Sequence, residues 1–180
     1  MLDDKPKLAW VSEVDLDAIR EVRQLLEEYR RELDVDLCFQ RFDEELHSLP
    51  GRYAGTRGRL LLATLDGTAV GCAALRELDE HTAELKRLFV RRHARGAGIG
   101  PLLVQRILAA ASKLGFQRIR LDTLPSMTVA RDLYRAAGFR EIEPYTVNPI
   151  RGTSFMELSL EGAVAENAGG TSQNRDLPSQ

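Results

Sequence analysis

The 180-residue chain reads as an α/β layered fold, with helices packed on a central sheet. Three observations predict it. Short apolar runs of strand length are interleaved with amphipathic stretches of helical period. An Asp66-Gly67 turn joins two of those runs into a hairpin. A glycine-rich loop then separates a strand from a helix whose first turn holds Pro101.

Taken in order, residues 7–14 (KLAWVSEV) form a first strand, and Asp15 is placed to cap the helix that follows. In that helix Ile19, Val22, Leu26, Tyr29 and Leu33 recur at helical spacing, while Arg20, Arg23, Glu27 and Arg30 take the opposite face. A short second helix covers 42–49 and stops at Pro50-Gly51. Residues 59–65 and 69–75 are the hairpin strands. In 82–90 the alternation puts Glu84, Lys86, Leu88 and Val90 on one face and Leu85, Arg87 and Phe89 on the other. Leu103, Ile107, Ala110, Ala111 and Leu114 mark the third helix, which Gly115 closes. A strand over 118–124 leads to a helix over 127–137, with Val129, Leu133 and Ala137 as its buried stripe and Gly138 as its stop. Strands over 139–143 and 154–160 complete the order β-α-α-β-β-β-α-β-α-β-β. Beyond Leu160 the composition turns to Gly, Ser, Asn, Gln and Pro, which gives a domain over 1–160 and a disordered tail over 161–180.

Composition narrows the function. Lys plus Arg is 25 against 27 Asp plus Glu, so the basic excess usual for a nucleic-acid binder is missing. No apolar run approaches the roughly 20 residues needed to span a bilayer, and the N-terminal segment lacks a signal-peptide apolar core; the expectation is a cytoplasmic protein without a membrane or nucleic-acid partner. Cys38 and Cys72 form no CxxC pair, and His47, His81 and His93 have no spaced partners, so no metal is expected. Both cysteines read as small buried side chains rather than nucleophiles.

The chemistry points to residues 88–103, LFVRRHARGAGIGPLL. A strand, a glycine-rich loop and a helix start aim backbone N–H groups and the positive end of a helix dipole at one place, which suits phosphate or pyrophosphate. Gly96, Gly98 and Gly100 allow close approach of a ligand, Arg91, Arg92 and Arg95 add positive charge, and His93 is within the same loop. A Walker loop fails because Pro101 stands where Lys is needed. A dinucleotide loop fails because its last glycine is also replaced by Pro101, although Asp122 lies where a ribose-binding acid could follow.

What fits is Arg95-x-x-Gly98-x-Gly100 after a strand and opening a helix. This resembles the acyl-CoA motif of the GNAT superfamily of N-acetyltransferases. Leu133-Tyr134-Arg135-Ala136-Ala137-Gly138-Phe139 resembles that family's second hallmark, in the expected order downstream. The resemblance implies a mixed, mostly antiparallel sheet flanked by helices, with one splayed strand pair for acyl-CoA. It implies acetyl-CoA as acyl donor, backbone contacts from Leu88, Phe89 and Val90 to the pantetheine arm, and a pyrophosphate cradle made by Arg95, Gly96, Ala97, Gly98, Ile99 and Gly100. Tyr134 matches the family's general acid beside the leaving sulfur; the other reading is a tyrosine packed at the edge of the Leu133 stripe. Glu84 is the candidate base, acting through water; the other reading is a strand carboxylate paired with Lys86 or Arg118. Many members carry an Asn near the end of the strand that here ends at Leu124; Thr123 or Ser126 stands in its place.

The acceptor is the thinnest part of the reading. Phe39, Phe42 and Tyr145 are candidate pocket walls, with Gln40, Asn148 and Arg151 as polar anchors; loop residues packed over the sheet are the alternative. The expected activity is transfer of acetyl directly to a primary amine of a small molecule within a ternary complex. The alternatives are a non-catalytic acyl-CoA-binding module and an enzyme acting on protein lysines or N-termini. A homodimer is left open by analogy with the family.

Overall fold

The computed structural model describes residues 5–33 and 41–160. Phe39, Gln40, Cys38 and the expected tail over 161–180 lie outside them. Strands β1 (Lys7–Trp10), β2 (Arg59–Leu65), β3 (Thr68–Glu77), β4 (Thr82–Val90), β5 (Arg118–Thr123), β6 (Arg140–Ile142) and β7 (Ser154–Ser159) form one sheet in the order β1-β2-β3-β4-β5-β7-β6. Helices α1 (Leu16–Leu33), α2 (Phe42–Ser48), α3 (Ile99–Lys113) and α4 (Thr128–Ala136) complete the described elements in the order the sequence predicts. Every strand pairing is antiparallel except β4 with β5. The first strand ends earlier than the expected residue 14, because Val14 and Leu16 are exposed and Asp15 already caps α1: its carboxylate accepts from the Ala18 N–H at 3.0 Å.

Alternation along the strands builds two cores. Leu61, Val70, Leu75, Ile119, Leu121 and Met156 face α3, meeting Leu103 and Ile107. Leu60, Leu62, Cys72 and Ala74 face the other way, against Val22, Leu25 and Leu26 of α1 and Phe42 and Leu46 of α2. Phe42 is therefore a core residue, not the pocket wall expected of it. Helix α4 also departs from expectation. Val129 is 81% exposed, and the buried side is made by Tyr134 with Ala130, Leu133 and Ala137 packed beside it. A nine-residue helix with few apolar positions leaves its register open, and the packing of Tyr134 edge-on to Phe139 at 5.7 Å decides it.

The feature that positions the site is a bulge in β4. Cys72 pairs with Phe89 but Ala74 pairs with Lys86, so β4 carries one extra residue there. Arg87 takes the left-handed conformation with φ of 59°. Strict alternation therefore fails. Lys86 and Arg87 both point to the α1–α2 face, Phe89 joins them, and Leu85, Leu88 and Val90 pack on the α3 side. The expected placement of Arg87 with Leu85, and of Lys86 with Leu88, is corrected by this single residue.

Gly71 sits across from the end of β4, where an added Cβ would lie 2.8 Å from the Phe89 carbonyl oxygen. Gly71→Ala is expected to destabilise the fold by about 1–3 kcal/mol, because the nearest obstacle is backbone that cannot rotate away. Urea unfolding followed by circular dichroism measures it.

Candidate active site

Strands β4 and β5 pair only at Thr82–Arg118, Ala83–Ile119 and Glu84–Arg120. Beyond that point β5 stays bonded to β7 through Thr123, and β4 stays bonded to β3 through Val90. The two strands part, and the inner edge of β4 over Leu88, Phe89 and Val90 faces the gap rather than a neighbouring strand. Such an edge offers a ladder of backbone groups to an extended ligand.

At the far end of the gap, β4 runs into the Arg91–Gly98 loop and the start of α3. Gly96 and Gly98 have φ of 84° and 75°, and a Cβ at either would meet nothing, so the loop presents open backbone. The Ile99 side chain is buried in the core and Gly100 lies against Leu133, which leaves their N–H groups as what the first turn of α3 can offer an anion. The arginines serve differently from a free cationic cluster. Arg95 donates to the Val90 carbonyl oxygen at 2.9 Å and pairs with Glu32 at 2.6 Å, so its guanidinium ties the loop to β4 and α1. Arg91 grips Glu28 through two hydrogen bonds of 2.9 and 2.8 Å and donates to the Ala69 carbonyl. That hydrogen bonding holds the Glu28 carboxyl below the usual carboxylate range. Arg92 reaches Glu32 at 3.5 Å, and His93 is exposed on a surface cleft shared with Glu28 and Glu32.

Where the strands part, a narrow cavity of about 30 Å³ passes between them. Tyr134 and Met127 line it from the α3–α4 side, Tyr29 from the α1 side, and Lys86, Arg87, Leu88 and Asp122 from the strands themselves. Burial pushes the Tyr134 hydroxyl above its ordinary pKa, so it stays protonated at neutral pH and has a proton to give. The Thr123 hydroxyl on β5 is buried and finds no partner among the described residues, an unmet polar group on the α3 side of the sheet. Open glycine backbone, an unpaired strand edge and this hydroxyl together fit a pantetheine pyrophosphate along the gap.

The α1–α2 face of the same region is a polar network. Glu84 is 1% exposed, paired with Arg76 of β3, and accepts from the Tyr145 hydroxyl at 2.7 Å; Lys86 lies 3.7 Å from it. Of the two partners in the alternative reading, Lys86 is within salt-bridge distance of Glu84, Arg118 is not among its contacts, and the carboxylate is buried. Lys86 also pairs more closely with Asp122, at 2.8 Å, and Asn148 donates to the other Asp122 oxygen at 3.0 Å. Burial raises the Asp122 carboxyl, but the Lys86 charge and the hydrogen bonds from Lys86 and Asn148 outweigh it and hold the group below its ordinary pKa. Arg87, its side chain 3% exposed, makes a two-pronged pair with Glu45 of α2 at 2.7 and 2.9 Å and lies over the Phe42 ring. Tyr145 and Asn148 are thus brought to Glu84 and Asp122, whereas Arg151 is exposed.

The whole chain now has a recognisable plan: parted β4 and β5, a glycine loop opening α3, and a buried tyrosine on α4. The acetyltransferase (GNAT) family model matches residues 19–139. The chain belongs to that family. An uncharacterized N-acetyltransferase of Schizosaccharomyces pombe is 37% identical over 159 residues, covering 87% of this chain and 98% of that protein. A GNAT acetyltransferase structure from Staphylococcus aureus superposes with a TM-score of 0.70 at 21% identity, covering 87% of this chain and all of the other. A Salmonella typhimurium structure solved with acetyl-CoA gives 0.63 at 20% identity, over 87% and 95%. This GNAT chain is an acetyltransferase. Among its described residues no helix is long and apolar enough to cross a membrane.

Sequence reading missed the pairing of Arg76 with Glu84 and of Arg87 with Glu45. Charged residues alternating inward on two adjacent strands (Glu84 and Lys86, then Arg120 and Asp122) were the available signal. The bulge that brings Arg87 to them leaves none.

Two tests follow from this geometry. Glu45→Ala leaves the Arg87 guanidinium buried without its carboxylate and is expected to cost about 3 kcal/mol in denaturant unfolding. Cys72 is fully buried and its thiol is pushed up to about 12, so at pH 8 it is a protonated thiol. Mass spectrometry after iodoacetamide treatment should find Cys72 unmodified in the native protein and alkylated in urea.

Proposed function

We propose that this GNAT chain transfers the acetyl group of acetyl-CoA to the primary amine of a small molecule, directly within a ternary complex. The observation that carries the reading is the cavity through the sheet. Its wall, where β4 and β5 part, takes Tyr134 from one face of the sheet and Lys86 and Asp122 of the polar network from the other. Donor and acceptor can therefore meet from opposite sides without a covalent enzyme intermediate. Cys72, buried beneath Arg87 with its Sγ directed at the Arg87 carbonyl oxygen, is not presented to either.

Acetyl-CoA supplies the acetyl group as a thioester; the chain supplies binding, orientation and protons. The edge of β4 over Leu88, Phe89 and Val90 holds the pantetheine arm by the backbone groups that face the gap, the Val90 carbonyl oxygen being taken by Arg95. The loop from Arg95 through Gly96, Ala97 and Gly98, with the N–H groups of Ile99 and Gly100, takes the pyrophosphate. Arg95 acts in this as a clamp that fixes the loop against Val90 and Glu32. Backbone N–H near Val90 meets the negative charge that develops on the carbonyl oxygen. Tyr134 gives its proton to the departing sulfur. The amine's proton leaves toward the carboxylates of the α1–α2 face, of which Glu84 is the candidate the sequence offers. Phe39 and Gln40, which lie outside the described residues, remain the sequence's acceptor-site candidates beside Tyr145 and Asn148. A cytoplasmic location and a homodimer belong to the same reading.

Isothermal titration with acetyl-CoA tests the donor site: the wild type binds, and Arg95→Glu with Gly98→Glu abolishes binding. Tyr134→Phe is expected to keep acetyl-CoA affinity and lose about 100-fold in kcat when thiol release is followed with an accepted amine. Equal turnover in both proteins removes Tyr134 from the mechanism.

A further inference from the structure

Two buried carboxylates compete for the role of meeting the acceptor, and their surroundings separate them. Both Glu84 oxygens are engaged: Oε2 by the Arg76 guanidinium, and Oε1 by the Tyr145 hydroxyl at 2.7 Å with Lys86 at 3.7 Å. Glu84 lies below the point where β4 and β5 part, at the last register pair the two strands share, and it does not line the cavity. Its contacts join β3, β4 and the segment before β7. Those are the contacts of a group that holds the sheet and the Tyr145 segment in place.

Asp122 lies two residues further along β5, where the strands have separated, and it lines the cavity together with Tyr134. One oxygen takes Lys86 Nζ at 2.8 Å and the other takes Asn148 Nδ2 at 3.0 Å. A carboxylate has about four acceptor positions, so two contacts leave room for further N–H donors. Lys86 and Asn148 fix its orientation. The groups that face it are cationic or neutral: Lys86 and Arg87 from β4, Asn148 and Tyr145 from the segment before β7, Tyr134 from α4 and Tyr29 from α1. An ionised carboxylate held at the wall of a through-sheet cavity is matched to an ammonium group.

Resting on the acetyltransferase reading above, we infer that Asp122 is the catalytic carboxylate that docks the acceptor's ammonium group in the cavity, and that Glu84 is a positioning residue. The acceptor binds as a cation, with its N–H groups donating to Asp122. One proton passes by way of bound water to solvent, and the nitrogen lone pair it leaves behind forms the new C–N bond as the C–S bond breaks. Tyr134 protonates the sulfur, and the second proton, shed by the nitrogen once the C–N bond has formed, restores the Tyr134 hydroxyl. Lys86 and Asn148 act through Asp122 by fixing its plane. The inference replaces Glu84 as the carboxylate nearest the amine and narrows the acceptor to amines that are cationic at neutral pH.

The test uses the full chain, acetyl-CoA, a panel of primary aliphatic and aromatic amines with the amino acids and polyamines, and hydroxylamine, which is neutral at pH 7.5. Four proteins are compared: wild type, Glu84→Gln, Asp122→Asn, and Asp122→Asn with Lys86→Met, which removes the charge left unpaired by the single change. Acetyl-CoA titration and thermal unfolding establish that each is folded. The expected result is a loss of about 100-fold in kcat/KM with the best cationic amine for both Asp122 variants, a much smaller loss with hydroxylamine, and acetyl-CoA affinity within about twofold of wild type. Glu84→Gln should lower the unfolding temperature and change the preference between cationic and neutral acceptors by less than about threefold. A wild type that binds no acetyl-CoA, or binds it and acetylates no amine in the panel, overturns the acetyltransferase reading itself. A folded Asp122→Asn that acetylates the cationic amine at the wild-type rate overturns the assignment of Asp122 alone. So does an equal loss with cationic amine and hydroxylamine, or a Glu84→Gln variant that shows the selective loss instead.

Discussion

Arg87 and Glu45 form the contact on which the site's layout turns. A non-glycine residue with φ of 59° in the middle of a strand is unfavourable by itself. It persists here because the bulge sends a guanidinium into the α2 side of the core, where a two-pronged carboxylate and an aromatic face receive it. The cost of a buried charge is offset only when its partner is present and well aligned, so α2 and β4 depend on each other. The bulge also bends β4. That bend is what separates it from β5 after only three shared register positions.

The parting of two strands in the centre of a sheet would ordinarily be a defect, because it leaves backbone donors and acceptors unmet. In this protein the gap is where the two faces of the sheet meet. Each side of the sheet brings something different to it. From the α3–α4 side come the glycine loop, the first N–H groups of α3, the Thr123 hydroxyl and Tyr134. From the α1–α2 side come Lys86, Asp122 and the residues that hold them. The bulge adds Arg87 to the second set, since strict alternation would have turned it into the apolar core over Ile107 and Leu103. One extra residue in β4 thus opens the gap and changes the chemical character of one of its walls.

The charges around the gap are nearly all paired. Arg91, Arg92 and Arg95, which the sequence suggested as anion-binding cations, are held by Glu28 and Glu32 of α1. What the loop still offers an anion is its backbone N–H groups and the helix start, which need no rearrangement to receive one. The arginines set the shape of the loop and hold it to α1. Loop and helix are therefore mechanically connected through three ion pairs.

The order of strands and helices, the family and the glycine loop that opens α3 were legible in the sequence by itself. Hydrophobic period, the Asp66-Gly67 turn and the glycines at 96, 98 and 100 act locally, and local chemistry is written in neighbouring residues. Tyr134 was found for the same reason, as part of a contiguous motif. The tertiary structure decided the facing of Lys86 and Arg87, the exposure of Val129, the core position of Phe42 and the distinct surroundings of Glu84 and Asp122. Each of these depends on residues far apart in the chain: Glu45 with Arg87, Lys86 with Asp122, and Tyr145 with Glu84. A bulge shifts every later side chain by one face without changing the composition of the strand. The residues that stabilise it come from a helix about forty positions earlier, so periodicity alone carries no trace of it.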